Sequence, residues 1–247
     1  MNFEYKYAPQ KLSDVIISDS EVRYQLDSYI NGDNIKPLIL HGSYGTGKTT
    51  IAKLLPTEME GKPVVIELLR ATEFNSINDV NDLFGCTNNF YKLFTIEGQS
   101  RNYVVSNEVN FTPKAAIAFR DIVDEMMFAT QFIFTTNNVE MLDAGLLDRC
   151  TKVFVPAAQP DDWLPRIKWI LKQEGVKLSD VKILKFLTSQ LVKNASNRSL
   201  LRELEDMVFK LKHPQPAKVA VPVVAPVPKI TLPAKAEVKV FNPLSAT

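Results

Sequence analysis

The chain has 247 residues, 45% of them hydrophobic and 23% charged, with 29 basic against 28 acidic side chains and a net charge of +1. That composition supplies a buried core for one or two domains. No apolar run approaches the 18 residues of a membrane helix, and MNFEYKYAPQ lacks the basic and apolar regions of a secretory leader. Cys86 and Cys150 have no metal-ligand spacing, which argues against a disulfide framework or a zinc site and fits a reducing cytoplasm.

Charge is distributed unevenly. Residues 1–159 carry a net charge of −6, residues 160–212 a net of +4 and residues 213–247 a net of +3. The basic C-terminal third permits phosphate contacts without requiring them.

In chain order, Leu38-Ile39-Leu40 reads as a strand that enters a glycine-rich loop and a helix through Leu55. Residues 63–68 read as the next strand and 103–106 as a third. Thr112-Pro113 supplies an N-cap and an N1 proline for a helix over 114–129. Residues 132–135 and 152–155 complete five strands. Alternating βα units predict an α/β fold, a parallel sheet covered by helices on both faces. After Pro156 the pattern is helix only. Apolar faces form at Trp163/Ile167/Ile170/Leu171, at Val181/Leu184/Leu187 and at Leu200/Leu201/Leu204/Val208/Leu211, with Ser179 and Ser196 as caps. These helices predict a second, small domain over 158–212, after a first over 1–157. Residues 213–247 hold 7 of the 15 prolines and no glycine, which predicts an extended tail.

The strongest motif is Gly42-Ser43-Tyr44-Gly45-Thr46-Gly47-Lys48-Thr49, followed by Thr50, a complete G-x-x-x-x-G-K-[ST] phosphate loop. Its glycines let backbone N–H groups face a polyphosphate at a helix N-terminus. Lys48 serves the β/γ-phosphates and Thr49 offers its hydroxyl to Mg²⁺. ATP and Mg²⁺ are therefore the expected cofactors. Phosphoryl transfer also needs a carboxylate and a metal-side group. Glu108, beyond the strand at 103–106, is the candidate general base, with a solvated strand-end acid as the plain alternative. Asn107 occupies the metal-side position with no negative charge, which predicts weak metal retention and slow turnover.

At this point the chain resembles the AAA+ ATPases, and within them the small subunits of sliding-clamp loaders. Glu4-Tyr5-Lys6-Tyr7-Ala8-Pro9 resembles the N-terminal K-Y-R-P box, with Ala8 where arginine is expected. Asn107-Glu108-Val109-Asn110 resembles a D-E-A-D Walker B motif with both aspartates replaced. Phe134–Asn138 is similar to a sensor-1 strand end, Leu147–Cys150 to an S-R-C box with Asp148 for serine, and Ala195–Leu200 to a sensor-2 segment. The resemblance implies that Asn137 holds the attacking water or the γ-phosphate. It implies that Arg198 reaches the chain's own nucleotide and that Arg149 reaches a neighbour's. Tyr7, Pro9, Ile16 and Ile17 would line the adenine pocket. It further implies a five-stranded AAA+ sheet followed by a helical lid, and partners among other AAA+ subunits, a sliding clamp or helicase, and primed or single-stranded DNA, with no membrane. The plain alternatives are a surface ion pair for Arg149 and an ordinary helix residue for Arg198.

The family's third, helical collar domain is not expected in this sequence, because residues 213–247 read as the proline-rich tail. Two further functions stay open beside clamp loading: a helicase loader or other DNA-linked remodelling ATPase, and an ATP-binding scaffold that hydrolyses little. Among weaker features, His41, Cys86, Cys150, Trp163 and Trp169 read as packing residues. Lys168, Lys172, Lys182 and Lys185 read as a solvated face rather than a DNA site. The tail reads as a linker, or as the carrier of a short hydrophobic peptide at 238–244.

Overall fold

The computed structural model describes residues 2–70, 96–107, 112–191 and 196–213. Five strands form one sheet: β1 (Leu38–His41), β2 (Glu67–Arg70), β3 (Asn102–Asn107), β4 (Thr130–Thr136) and β5 (Thr151–Phe154). Their order is β2-β3-β4-β1-β5, with every pairing parallel. Helices α1 (Phe3–Lys6), α2 (Ser20–Ile30), α3 (Lys48–Glu60), α4 (Pro113–Met126) and α5 (Ala144–Arg149) belong to this half of the chain. Helices α6 (Pro160–Gln173), α7 (Asp180–Leu191) and α8 (Asn197–Lys212) follow.

The apolar runs explain the layering. Residues of β1, β3 and β4 alternate between two cores, because successive side chains of a strand point to opposite faces. Ile39, Val104, Phe132 and Phe134 pack under α4, with Phe119 edge-on to both phenylalanines of β4. Leu38, Leu40, Val105 and Ile133 pack on the opposite face with Leu26 of α2 and Ile51 and Leu55 of α3. A third core gathers Trp163, Ile167, Ile170, Ile183, Leu187, Leu200, Leu204 and Val208 from the last helices. Phe3 and Tyr7 belong to that third core, so the N-terminal strap packs with the C-terminal helices.

The predicted helix at 113 starts as expected: Thr112 accepts from the Ala115 N–H and Pro113 occupies the first turn. Several boundaries differ. Strand β2 begins at Glu67 instead of residue 63. Pro63 has no N–H to give, and the Gln99 side chain accepts from the Val65 N–H (2.6 Å) and donates to its carbonyl (3.4 Å), which withholds Val65 from a ladder. Helix α3 continues past Leu55 to Glu60 and ends at Gly61. Helix α4 ends at Met126, short of 129. In α7 the inward positions are Ile183, Leu187 and Gln190, spaced by four and three, whereas Val181 is exposed. Leu211 is likewise half-exposed, one turn beyond the last buried residue of α8, Val208. Among the described residues no helix is long and apolar enough to cross a membrane.

Candidate nucleotide site

All five strands point the same way, so their C-terminal ends share one edge, where α/β sheets place ligands. The phosphate loop leaves β1 there at Gly42. Asn107 is the last residue of β3. Asn137 follows β4, whose Thr136 pairs with His41. The Thr135 hydroxyl donates to Asn107 Oδ1 at 3.4 Å, tying Asn107 to β4 two residues before Asn137.

The loop is built by backbone freedom. A Cβ at Gly42 would stand 2.5 Å from the Val155 carbonyl oxygen, so only glycine fits beside β5. Gly45 has φ +70°, and a Cβ there would meet the Ser196 Cβ at 2.3 Å. The Lys48 side chain is buried and folds back over the loop, donating from Nζ to the carbonyls of Gly42 (2.9 Å) and Ser43 (2.5 Å). Thr46 is buried and its hydroxyl donates to Ser43 O. Thr49 and Tyr44 are exposed and Thr50 is half-buried in the first turn of α3.

The last helix docks on this loop. Ser196 caps α8, accepting from the Ser199 N–H at 3.2 Å. The next N–H, on Asn197, donates to the Gly45 carbonyl at 3.1 Å. That bond satisfies one of the helix-end donors that have no partner within a helix. The predicted sensor segment therefore meets the phosphate loop through Ser196 and Asn197. Arg198 itself pairs with Glu4 of the strap (Nε to Oε1, 2.6 Å), and Arg202 approaches the other oxygen of Glu4 at 3.4 Å.

A cavity of about 710 Å³ reaches the loop's neighbourhood through Val15, whose Cγ1 would stand 3.7 Å from a Cβ at Gly47, although no loop residue lines it. Tyr7, Ala8, Ile16 and Ile17 line it from the N-terminal segment, and Asp162, Pro165, Arg166 and Trp169 from α6. Tyr7, Ile16 and Ile17 were expected to line such a pocket. Pro9, expected with them, is not among the lining residues. Trp169 is only half-buried and stands edge-on to Tyr7 with the Arg166 guanidinium over its ring, so it is a cavity wall rather than the packing residue expected. Arg166 also donates to the Tyr7 carbonyl at 3.0 Å. These α6 residues are missed from the sequence because Trp163 and Trp169 look alike there. Arg166 and Trp169, three apart on one helical face, are the signal that was present.

One ion network fastens the strap. The Glu174 side chain, 6% exposed, accepts from Lys6 Nζ (2.6 Å), Tyr7 OH (2.6 Å) and Lys212 Nζ (2.5 Å). Donation from Lys212, then from Lys6 and Tyr7, holds its carboxyl down to about 2. His41, which ends β1, lies 5.4 Å from the Phe154 ring, and burial pushes its imidazole below the ordinary range. Burial pushes the Cys150 thiol up to about 12, as suits an apolar filler.

Arg149 is elsewhere. It ends α5, two residues before β5 begins, and therefore lies at the N-terminal edge of the sheet. The phosphate loop leaves the opposite edge, separated by the four residues of β5, roughly 13 Å at 3.3 Å per residue. Glu108, with Val109 and Asn110, lies outside the described residues, as do Cys86 and residues 214–247 of the tail. The described residues contain no cluster of three or more His, Cys, Asp or Glu side chains placed to hold a metal.

Comparison with known proteins agrees with this architecture. Residues 38–156 match the AAA family, the ATPase family associated with various cellular activities. Replication factor C subunit 5 of Homo sapiens is 29% identical over 199 residues, which take in 78% of this chain and 57% of the relative. Replication factor C small subunit 1 of Pyrobaculum arsenaticum is 29% identical over 180 residues, 71% of this chain and 53% of its own length. The chain thus spans little more than half the length of these relatives. Among solved structures, a variant of Thermotoga maritima RuvB superposes with a TM-score of 0.63 at 13% identity, covering 83% of this chain and 67% of the other. That likeness concerns the fold. Residues 38–156, which match the AAA family model, thus carry all five strands of the parallel sheet with the phosphate loop at its edge, and the chain as a whole is similar to the replication factor C small subunits.

Proposed function

We propose that this chain is an ATP-binding and ATP-hydrolysing subunit of clamp-loader type, which acts on DNA with other AAA subunits to place a ring-shaped clamp. The observation that carries the reading is the meeting of the phosphate loop, Asn107, Asn137 and the start of α8 at one sheet edge, near a cavity walled by both the strap and α6. The loop suits a polyphosphate, since it is a cradle that a Cβ would fill and it holds a buried lysine. Lys48 and the loop N–H groups would hold the phosphates. Thr49 and Asn107 would hold Mg²⁺, which supplies charge neutralisation at the phosphates when bound.

Residues 158–212 serve as a lid in this reading. Asn137 orients water or the terminal phosphate. Glu108 takes the proton from the attacking water. Arg198 leaves Glu4 for the nucleotide, and the Asn197–Gly45 bond couples the loop's state to the lid. Differential affinity of nucleotide for the two lid positions then drives the cycle. Arg149, at the wrong edge for its own loop, serves the site of an adjoining subunit. The similarity to replication factor C subunits supports the choice of a clamp and primed DNA as partners.

Asn107 favours a second reading, an ATP-binding scaffold with little turnover, because a neutral amide oxygen attracts Mg²⁺ less than a carboxylate. A steady-state ATPase assay with primed DNA and a candidate clamp separates the two. Stimulation by both together supports loading, and stimulation by DNA alone supports another remodelling role. Tight nucleotide binding without turnover supports the scaffold. Parent-like assembly and activity in Lys48→Ala would refute any role for nucleotide.

A further inference from the structure

Helix α5 has six residues, too few to hold its shape in isolation. Its orientation is set by α4, through two ion pairs of opposite sense. At the start, Arg120 of α4 approaches the N-cap Asp143 at 3.6 Å. At the end, Asp124 of α4 accepts from Arg149 Nε through both oxygens, at 2.7 and 2.9 Å. Arg120 and Asp124 are four apart and so share one face of α4. Leu146 anchors the helix, fully buried in the core beneath α4. Gly145 leaves room for the Arg120 guanidinium, since a Cβ there would stand 2.3 Å from Nη1. The guanidinium of Arg149 is also tied to its own helix, donating from Nη1 to the Gly145 carbonyl at 2.9 Å.

Which nitrogens are used decides what this arrangement does. A guanidinium carries five N–H groups in a rigid plane. Asp124 takes Nε–H and Gly145 takes one N–H of Nη1. Among the described residues, the second N–H of Nη1 and both on Nη2 make no hydrogen bond. A carboxylate competing with phosphate would take the fork of terminal nitrogens; this one takes the stem and fixes the plane. We infer that Asp124 is a positioning residue for Arg149, aiming the terminal nitrogens of its guanidinium outward toward the phosphates of a nucleotide held by a second copy of this chain or a similar subunit. The inference rests on the reading of Arg149 as a group lent to a neighbour. Misplacement of a reacting group by about 1 Å costs on the order of 10²-fold, and loss of such an arginine on the order of 10³–10⁵-fold. Loss of Asp124 should fall at or below the smaller figure.

Mixed copies of the full chain test this. Lys48→Ala copies have a dead site but an intact Arg149, whereas Arg149→Ala copies have an intact site and no finger. Turnover in the mixture therefore reports arginine lent from the first to the second. Adding Asp124→Ala to the Lys48→Ala copy should lower kcat roughly 10- to 100-fold with KM unchanged. Adding it to the Arg149→Ala copy should change nothing, and Asp124→Glu on the lending copy should restore most of the loss. Nucleotide-dependent pairing of the two copies, read by native mass spectrometry, should weaken with the same one-sided pattern. Equal loss on both copies, as a purely structural role would give, overturns the inference, and so does no loss on the lending copy. A mixture without turnover, where the parent chain is active, instead refutes the lent arginine itself.

Discussion

Replacing Gly45 by alanine separates two costs that usually come together. The residue has φ +70°, a region in which a Cβ costs roughly 1–2 kcal/mol. Its new Cβ would also stand 2.3 Å from the Ser196 Cβ and 3.2 Å from the Ser196 Cα. Relief requires the start of α8 to leave the loop, and the Asn197–Gly45 hydrogen bond goes with it. Gly61 is the control. It has φ +65°, nearly the same backbone, and no atom within 4 Å of a built Cβ. Gly61→Ala should therefore cost about 1 kcal/mol, the conformational part alone. Gly45→Ala should cost that amount plus roughly 1–3 kcal/mol for overpacking and about 1 kcal/mol for the lost hydrogen bond. Urea unfolding of both variants, at unchanged m-value, measures the difference. Hydrogen exchange should also show the amides of the first turn of α8 losing protection in Gly45→Ala and keeping it in Gly61→Ala. Equal destabilisation of the two variants, with α8 equally protected, would show that the loop and the last helix do not bear on each other in solution.

Other expectations follow from particular contacts. Because the Glu174 carboxyl is held near 2 in the folded chain, below its ordinary 4.5, its contribution is complete above that ordinary value and disappears as pH falls toward 2. Lys6 and Lys212 are each more than a third exposed, so screening leaves about 1–2 kcal/mol. Thermal melts of wild type and Glu174→Gln should differ at pH 7 and draw together progressively below about pH 4.5, converging only as pH approaches 2; a constant gap would disprove the network's contribution. Asn107→Asp should raise turnover and lower the Mg²⁺ concentration for half-maximal rate, whereas an unchanged Mg²⁺ titration would show that the neutral oxygen does not limit metal binding. Ile170→Ala, at a fully buried position of the third core, should cost about 2–5 kcal/mol in urea titrations. Glu4→Gln weakens the pairs with Arg198 and Arg202, whose side chains are 67% and 65% exposed, so stability should change by less than about 1 kcal/mol. A larger loss would mean that the strap depends on Glu4 more than its exposure implies.

The phosphate loop was legible because its chemistry is local: a turn that only glycine can make, a lysine and a hydroxyl at fixed offsets need no distant partner. The sheet was legible for a similar reason, since Leu38–Leu40, Val104–Val105 and Phe132–Phe134 are apolar on both faces and only a doubly covered parallel sheet buries both. The start of β2 was not, because Gln99, more than thirty residues away, decides whether Val65 joins the ladder. Nor was the strap's allegiance. Phe3 and Tyr7 precede the sheet in the chain, yet their partners Glu205, Trp169 and Glu174 are brought to them only when the last helices fold back. The same holds for Arg149 and Arg198, whose carboxylates, Asp124 and Glu4, are supplied by other elements. Periodicity and motif spacing encode what a segment does with its own backbone and neighbours; which charged groups pair across helices depends on where the whole chain places them.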